Sequence, residues 1–376
     1  MKVWLLLSRF ANGGLERVQI NLANSLKLLG VDIEFVIGRL ELDPRPQLLE
    51  GIPVTELAAG TKLFFPLTLR RQWSKRAPDV IITSANDVAC LTLLLRDMGL
   101  GRTRVVASQH LSLSAPRLAA AGPTRLKLEL LRAGMRRLLP KADAVIAVSA
   151  ALSKDMQTEL GLLPSQIDVI HNPIVLPELD ALINEHAEWP WPDNNAPTLV
   201  FAGRLAPEKR PDLLLEAFQR MPDRSTRLLI VGDGPCTAEV HSRVREHGLE
   251  ARVRLVGHVS NVYPFISRSK ALVLCSDFEG FGNVLVEAMA CGVQVIATDC
   301  PNGPAEILDG GAYGRLVPCG DASALAQAME EAISGWPRVD PNRLRARARD
   351  FTLEKAMAAY MHILNRVAPA LTSARG

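Results

Sequence analysis

The sequence predicts an α/β protein built from two Rossmann-like domains that face a central cleft. Three observations predict it. Short apolar runs alternate with helix-length amphipathic stretches along nearly the whole chain, the pattern of parallel strands covered on both faces by helices. Each half opens on a strand, a Gly-containing loop and a helix, the unit of a doubly wound sheet. Between the halves, Pro190-Trp-Pro-Asp-Asn-Asn-Ala-Pro197 reads as a linker, which places the domains at 1–180 and 196–351.

In chain order, Val3 to Leu7 is the first buried strand and Ser8 to Gly14 a loop. The segment Glu16 to Leu29 is an amphipathic helix with Val18, Leu22, Leu26 and Leu29 on one side and Gly30 as its stop. Ile33 to Ile37 is the second strand. There is no GxGxxG, and Gly38-Arg39 stand where a ribose-binding acid would follow the second strand, which argues against NAD. Strand signals recur at Val80–Ile82, Val105–Ala107, Ala144–Val148 and Val169–Ile170. After the linker come Leu199–Ala202, a basic loop from Gly203 to Pro211, and a helix from Asp212 to Met221 with Asp212 as its cap. The strands Leu228–Val231, Val253–Val256, Ala271–Leu274, Val293–Ala297 and Leu316–Val317 follow.

Length and composition bound the function. The 376 residues suit two domains of ordinary size. With 48% hydrophobic and 22% charged residues the chain reads as soluble and globular, and a net charge of +3 is too small to imply nucleic acid. Six cysteines lack metal-ligand spacing and read as reduced thiols of a cytoplasmic protein. The histidines form no HExxH, so neither a metal nor another cofactor is expected. Met1 to Arg9 is too short and too early interrupted for a signal peptide, and no apolar stretch of about 18 residues is present to span a membrane.

The chemistry concentrates in Glu279-Gly-Phe-Gly-Asn-Val-Leu-Val-Glu287. Glu279 falls in a loop beyond a strand's carboxyl end, and Glu287 about two turns into the helix that follows. Ligands of open α/β sheets bind at that edge. Loop glycines let the backbone approach a ligand, and a helix N-terminus suits phosphate. Carboxylates there suit sugar hydroxyls, because each accepts from two donors. A nucleotide sugar uses both features; two solvated acids near a helix start would look the same in sequence. Arg204 and Lys209 flank the loop after another strand and could neutralise a diphosphate. Gly13-Gly14 and His110 also lie just beyond strand ends.

Taken together, Gly203-Arg-Leu-Ala-Pro-Glu-Lys209, Val231-Gly-Asp-Gly234, Phe278 to Gly292 and Gly303-Pro-Ala-Glu-Ile307, with Gly13-Gly-Leu-Glu-Arg17 and Asn172-Pro173, resemble the retaining GT-B glycosyltransferases of family 4. The resemblance covers nearly the whole chain. It implies a GT-B fold with a terminal helix, 352–376, crossing back onto the first domain. Arg204 and Lys209 would hold the donor diphosphate and Glu287 the ribose hydroxyls. Glu279 would face the transferred sugar, helped by the backbone of Gly280, Phe281 and Gly282 and the helix start at Asn283-Val284. Val256, His258 and Val259 would lie along the base. Gly13, Gly14 and Arg17 would approach the diphosphate from the first domain, and His110 would stand near the donor sugar. Catalysis would rest on His110, Glu279, Arg204 and Lys209.

The expected activity is transfer of a sugar from a nucleotide diphosphate, a UDP-hexose or UDP-N-acetylhexosamine by preference, to a glycan or lipid-linked acceptor in envelope assembly. The alternatives are a UDP-GlcNAc 2-epimerase of GT-B architecture and a non-catalytic sugar-nucleotide- or glycan-binding subunit. Between Lys62 and Lys141 stand 15 basic and 4 acidic residues, a local excess of +11. With the basic helical stretch Pro123–Leu139 and the apolar Leu63-Phe-Phe-Pro-Leu67, that excess suggests peripheral contact with the anionic inner face of the cytoplasmic membrane.

Overall fold

The computed structural model describes residues 1–11, 13–57, 64–100, 102–193, 195–335 and 338–369. Lys62, Leu63 and the end of the expected terminal helix, 370–376, lie outside them. The chain forms two compact units: Met1–Pro173 together with the chain from Glu354 onward, and Ile174–Leu353.

The first unit is a sheet of seven strands: β1 Lys2–Leu7, β2 Asp32–Ile37, β3 Val54–Glu56, β4 Val80–Thr83, β5 Arg104–Gln109, β6 Ala144–Ala147 and β7 Ile167–Val169. All pairings are parallel, in the order β3-β2-β1-β4-β5-β6-β7. Val3 to Leu6 are fully buried, as a central strand covered on both faces requires. The edge strand β3 was not legible in the sequence: it has three residues, none of them buried. The helix Leu353–Val367 belongs to this unit from Glu354 on, burying Met357, Tyr360, Ile363 and Leu364, while Arg366 donates to Asp168 at 3.2 Å.

The second unit holds β8 Thr198–Ala202, β9 Arg227–Val231, β10 Val253–Gly257, β11 Ala271–Leu274, β12 Gln294–Thr298 and β13 Arg315–Val317, parallel throughout in the order β10-β9-β8-β11-β12-β13. Because every strand runs the same way, all the loops after strands emerge on one edge. The winding reverses between β8 and β11, so the loops after these two strands flank the switch point, where open sheets bind ligands.

Two sequence expectations are corrected here. The run 190–197 is not a linker between units but part of the second one. Trp191 is buried, its Nε1 donates to the Ala251 carbonyl at 3.3 Å, and the Arg227 guanidinium lies 5.1 Å above its ring. Proline-rich composition excludes regular structure, not packing. The chain instead changes unit at Pro173/Ile174, where the N–H groups of Ile174 and Val175 both donate to the Phe351 carbonyl at 3.1 Å. Nor does Asp212 cap the next helix, Pro211–Arg220. Arg210 holds the cap position, and the Asp212 carboxylate accepts from Arg210 instead.

Candidate functional site

The loop after β8 takes its shape from two contacts that only glycine allows. Gly232 (φ 134°) sits so close to the neighbouring loop that a Cβ would stand 2.0 Å from the Gly203 carbonyl oxygen. One on Gly234 would stand 2.3 Å from that of Leu205. The Leu205 N–H donates to the Asp233 carbonyl at 2.9 Å, and the Cys236 N–H to Leu205 at 2.9 Å. These bonds fix the segment that carries Arg204 and, one turn later, Lys209.

Across the switch point the loop after β11 carries Glu279. Its carboxylate is buried and accepts from Lys209 Nζ at 2.5 Å and from Ser276 Oγ at 2.6 Å. Both bonds go to Oε1. The loop is tied down on both sides: the Asp277 N–H donates to Glu208 at 2.8 Å, the Glu279 N–H to Pro301 at 3.1 Å, and Thr298 Oγ1 to the Ser276 carbonyl at 2.6 Å. Gly282 (φ 101°) then starts the helix Asn283–Cys291, which places its partially positive end at this loop. Glu287 is buried on that helix, and Gly292 (φ 74°) ends it as expected. Gly280, Phe281 and Gly282 are buried, while Asn283 and Val284 are half-buried.

Arg204 differs from Lys209. Its side chain is exposed and, among the described residues, makes no ion pair or side-chain hydrogen bond. The structure therefore pairs Lys209 with Glu279 and leaves Arg204 open to an anion. Sequence reading missed Arg210. In a left-handed conformation (φ 51°, ψ 52°), it bonds Asp212 at 2.9 Å and Asp277 at 3.1 Å, bracing the β8 loop against the β11 loop. Its pKa is raised, first by the hydrogen bond to Asp212. Ser276 and Asp277 were missed as well; their position directly after a strand was the available signal.

Val256 lies near the end of the edge strand β10 and His258 and Val259 follow it, with β9 and β8 between that strand and β11. His258 is exposed. Val256 and Val259 line an open groove of about 970 Å³ with Glu185, Trp189, Phe265 and Arg268.

The remaining predicted residues belong to the first unit. Gly13 caps the helix Gly14–Leu28 with extended backbone, and the Arg17 N–H donates to the Gly13 carbonyl at 3.2 Å. His110, beyond β5, is 9% exposed. Its Nε2 lies 2.9 Å from Ser108 Oγ, Asn172 hydrogen-bonds the ring, and Ser108 in turn bonds the buried Tyr360 hydroxyl. Burial lowers its pKa to about 4 against the opposing effect of Asn172, so the ring is neutral at pH 7. An unfolded chain binds a proton on this histidine near pH 6.5 and the folded one only near 4, so acid favours unfolding. Stability from this residue is intact above about pH 6.5 and falls by roughly 2 kcal/mol on going from pH 7 to pH 5. A His110→Gln variant is expected to lack that slope in guanidinium unfolding at the two pH values. Identical slopes in both proteins would contradict the assignment.

Comparison with known proteins follows the same division. Residues 12–176 match the Glycosyltransferase Family 4 domain and 184–351 match Glycosyl transferases group 1. The N-acetylgalactosamine-N,N'-diacetylbacillosaminyl-diphospho-undecaprenol 4-alpha-N-acetylgalactosaminyltransferase of Campylobacter jejuni is 26% identical over 57% of this chain and 58% of its own length. The chain thus spans little more than half of that relative, and it spans 20% and 42% of two other curated relatives. A second Campylobacter jejuni protein, GalNAc-alpha-(1->4)-GalNAc-alpha-(1->3)-diNAcBac-PP-undecaprenol alpha-1,4-N-acetyl-D-galactosaminyltransferase, is 24% identical over 98% of this chain and 99% of its own length. Among solved structures, HepE from Anabaena in complex with UDP-glucose superposes with a TM-score of 0.74 at 20% identity, over 99% of this chain and all of that one.

Proposed function

This chain belongs to the family 4 and group 1 glycosyltransferases, and from that premise we propose that it is a retaining enzyme. It takes a hexose or N-acetylhexosamine from a UDP-linked donor and passes it to a hydroxyl of a lipid-linked or polysaccharide acceptor. The observation that carries the reading is the Lys209–Glu279–Ser276 cluster at the switch point of the second sheet, with an uncommitted Arg204 on the adjoining loop. The names of the two Campylobacter relatives and the UDP-glucose complex of the Anabaena protein support the donor and acceptor classes.

On this reading Arg204, Lys209 and the start of the helix Asn283–Cys291 meet the diphosphate, so the leaving charge is stabilised by the protein without a metal. Glu287 accepts from the ribose hydroxyls. Glu279, with Oε2 free of the two bonds that hold Oε1, accepts from the sugar. The sugar–phosphate bond breaks, the acceptor oxygen bonds to the same face of the anomeric carbon, and the departing phosphate oxygen takes the acceptor proton.

A thermal-shift series with UDP-, GDP- and ADP-sugars tests the donor. A bound donor at 100 times its Kd stabilises by about 2.7 kcal/mol. Stabilisation by UDP-sugars, and UDP release on adding an undecaprenyl-diphosphate glycan, are the expected results. Binding without UDP release under any acceptor would make the chain a binding subunit, and no binding at all would sink the reading. Glu279→Ala should lower transfer roughly 10- to 100-fold, as for the loss of a hydrogen bond to a charged group. Full transfer by that variant would remove Glu279 from the site.

A further inference from the structure

The helix Gly122–Leu138 in the first unit is a 17-residue helix on which only Met135 is buried. Its outer stripe is Leu126, Leu130, Ala133 and Arg137, spaced i, i+4, i+7, i+11, and all four are exposed. Leu126 and Leu130 are 63% and 66% exposed, and Leu118 on the adjoining helix Ser114–Ala119 is 68% exposed. Singly exposed leucines are common; three at this exposure on two packed helices form a patch.

The charges beside it sort into two sets. Arg117 and Arg132 are spent inside the fold: Arg117 bonds Glu129 at 3.1 Å and Glu159 at 3.0 Å, and Arg132 reaches Glu159 at 2.7 Å. These bonds neutralise Glu129, the single acid on the helix, and lock it to its neighbours. Arg125, Lys127, Arg136 and Arg137 are exposed and, among the described residues, form no ion pair. The outward face is therefore apolar along its centre from Leu126 to Ala133, with Arg137 closing the stripe and the unpaired cations Arg125, Lys127 and Arg136 at its sides.

We propose that this face docks the protein on an anionic bilayer, with Leu118, Leu126 and Leu130 entering the headgroup–acyl boundary and Arg125, Lys127, Arg136 and Arg137 meeting lipid phosphates. An apolar stripe rimmed by cations fits that partner on both counts, burial and charge. The inference rests on the reading above that the acceptor is lipid-linked. Among the described residues no helix is long and apolar enough to cross a membrane, so contact through this helix is interfacial.

Flotation with phosphatidylcholine vesicles, and with vesicles that also contain phosphatidylglycerol, tests it on the full chain. Binding is expected only with the anionic vesicles and is expected to fall as salt rises. Each rim cation removed should weaken it about fivefold, so Arg125→Gln/Lys127→Gln should bind more than tenfold more weakly. Leu126→Asn/Leu130→Asn should lose binding to the anionic vesicles. UDP-sugar stabilisation in solution should be unchanged in both variants, which separates failure of this proposal from failure of the donor reading. Absence of binding to anionic vesicles at low salt overturns the proposal. So does equal binding by the leucine variant, or a wild-type dimer in solution that the leucine variant breaks, because a second copy would then cover the face.

Discussion

An Arg204→Ala variant unfolds at the wild-type temperature and transfers sugar about 10²–10³ times more slowly, the usual effect of deleting one preorganised group that stabilises developing charge. The two halves of this expectation have separate causes. Arg204 is exposed and, among the described residues, has no ion pair or side-chain hydrogen bond, so its loss removes neither from the folded chain. Its place after β8, beside the switch point, makes the donor diphosphate its partner on the proposed reading. Lys209→Ala makes the contrast. It would strand the buried Glu279 carboxylate, and breaking such a pair costs about 3–5 kcal/mol. Calorimetric unfolding and kcat at saturating donor, measured on both variants, check the pair. Wild-type kcat in Arg204→Ala would exclude that residue from the donor site.

Gly303→Ala is expected to damage fold and activity together. Gly303 has φ 115° and ψ −63°, outside the range other residues adopt without strain. A Cβ there would stand 1.8 Å from the Phe281 carbonyl oxygen, a backbone atom that cannot swing aside as a side chain can. The loop Glu279–Gly282 must then move. Phe281 resists that movement, since it is buried with its ring edge-on to Phe351 at 5.4 Å between centroids. Strain and displacement together should cost roughly 3–5 kcal/mol. That corresponds to a fall of roughly 10 °C in the second unit's melting temperature. Loss of UDP-sugar stabilisation should accompany it, because the displaced segment carries Glu279. A variant that melts normally and still binds donor would show that the loop tolerates the shift.

Much of this was legible because a strand in a parallel sheet, covered on both faces, is written as an unbroken apolar run. Val3–Leu7, Leu199–Ala202 and Ala271–Leu274 were found that way, and with them the edge on which Arg204, Lys209 and Glu279 fall. Gly282 and Gly292 marked the ends of the helix between them. What the pattern could not carry was pairing at long range. Arg210 and Asp277 are separated by 67 positions and Lys209 and Glu279 by 70, and no local spacing announces either bond. Charge counts between 62 and 141 showed a basic surplus, but only the fold separates Arg117 and Arg132, consumed by Glu129 and Glu159, from the four cations left exposed on the helix Gly122–Leu138. The misread linker has the same origin: prolines announced a break in regular structure, and nothing local announced that Arg227 would stack on Trp191.

The backbone ties between neighbouring loops have a thermodynamic consequence. Leu205 to Asp233, Asp277 to Glu208 and Glu279 to Pro301 join the segments after β8, β9, β11 and β12 into one hydrogen-bonded rim. The configurational entropy of those segments is surrendered when the second unit folds, not when a ligand arrives. A molecule settling on the rim has few main-chain torsions left to freeze, so more of each contact it makes remains as affinity. The free-energy cost of precision is then carried by folding stability, and the rim can discriminate among ligands without first having to be assembled by them.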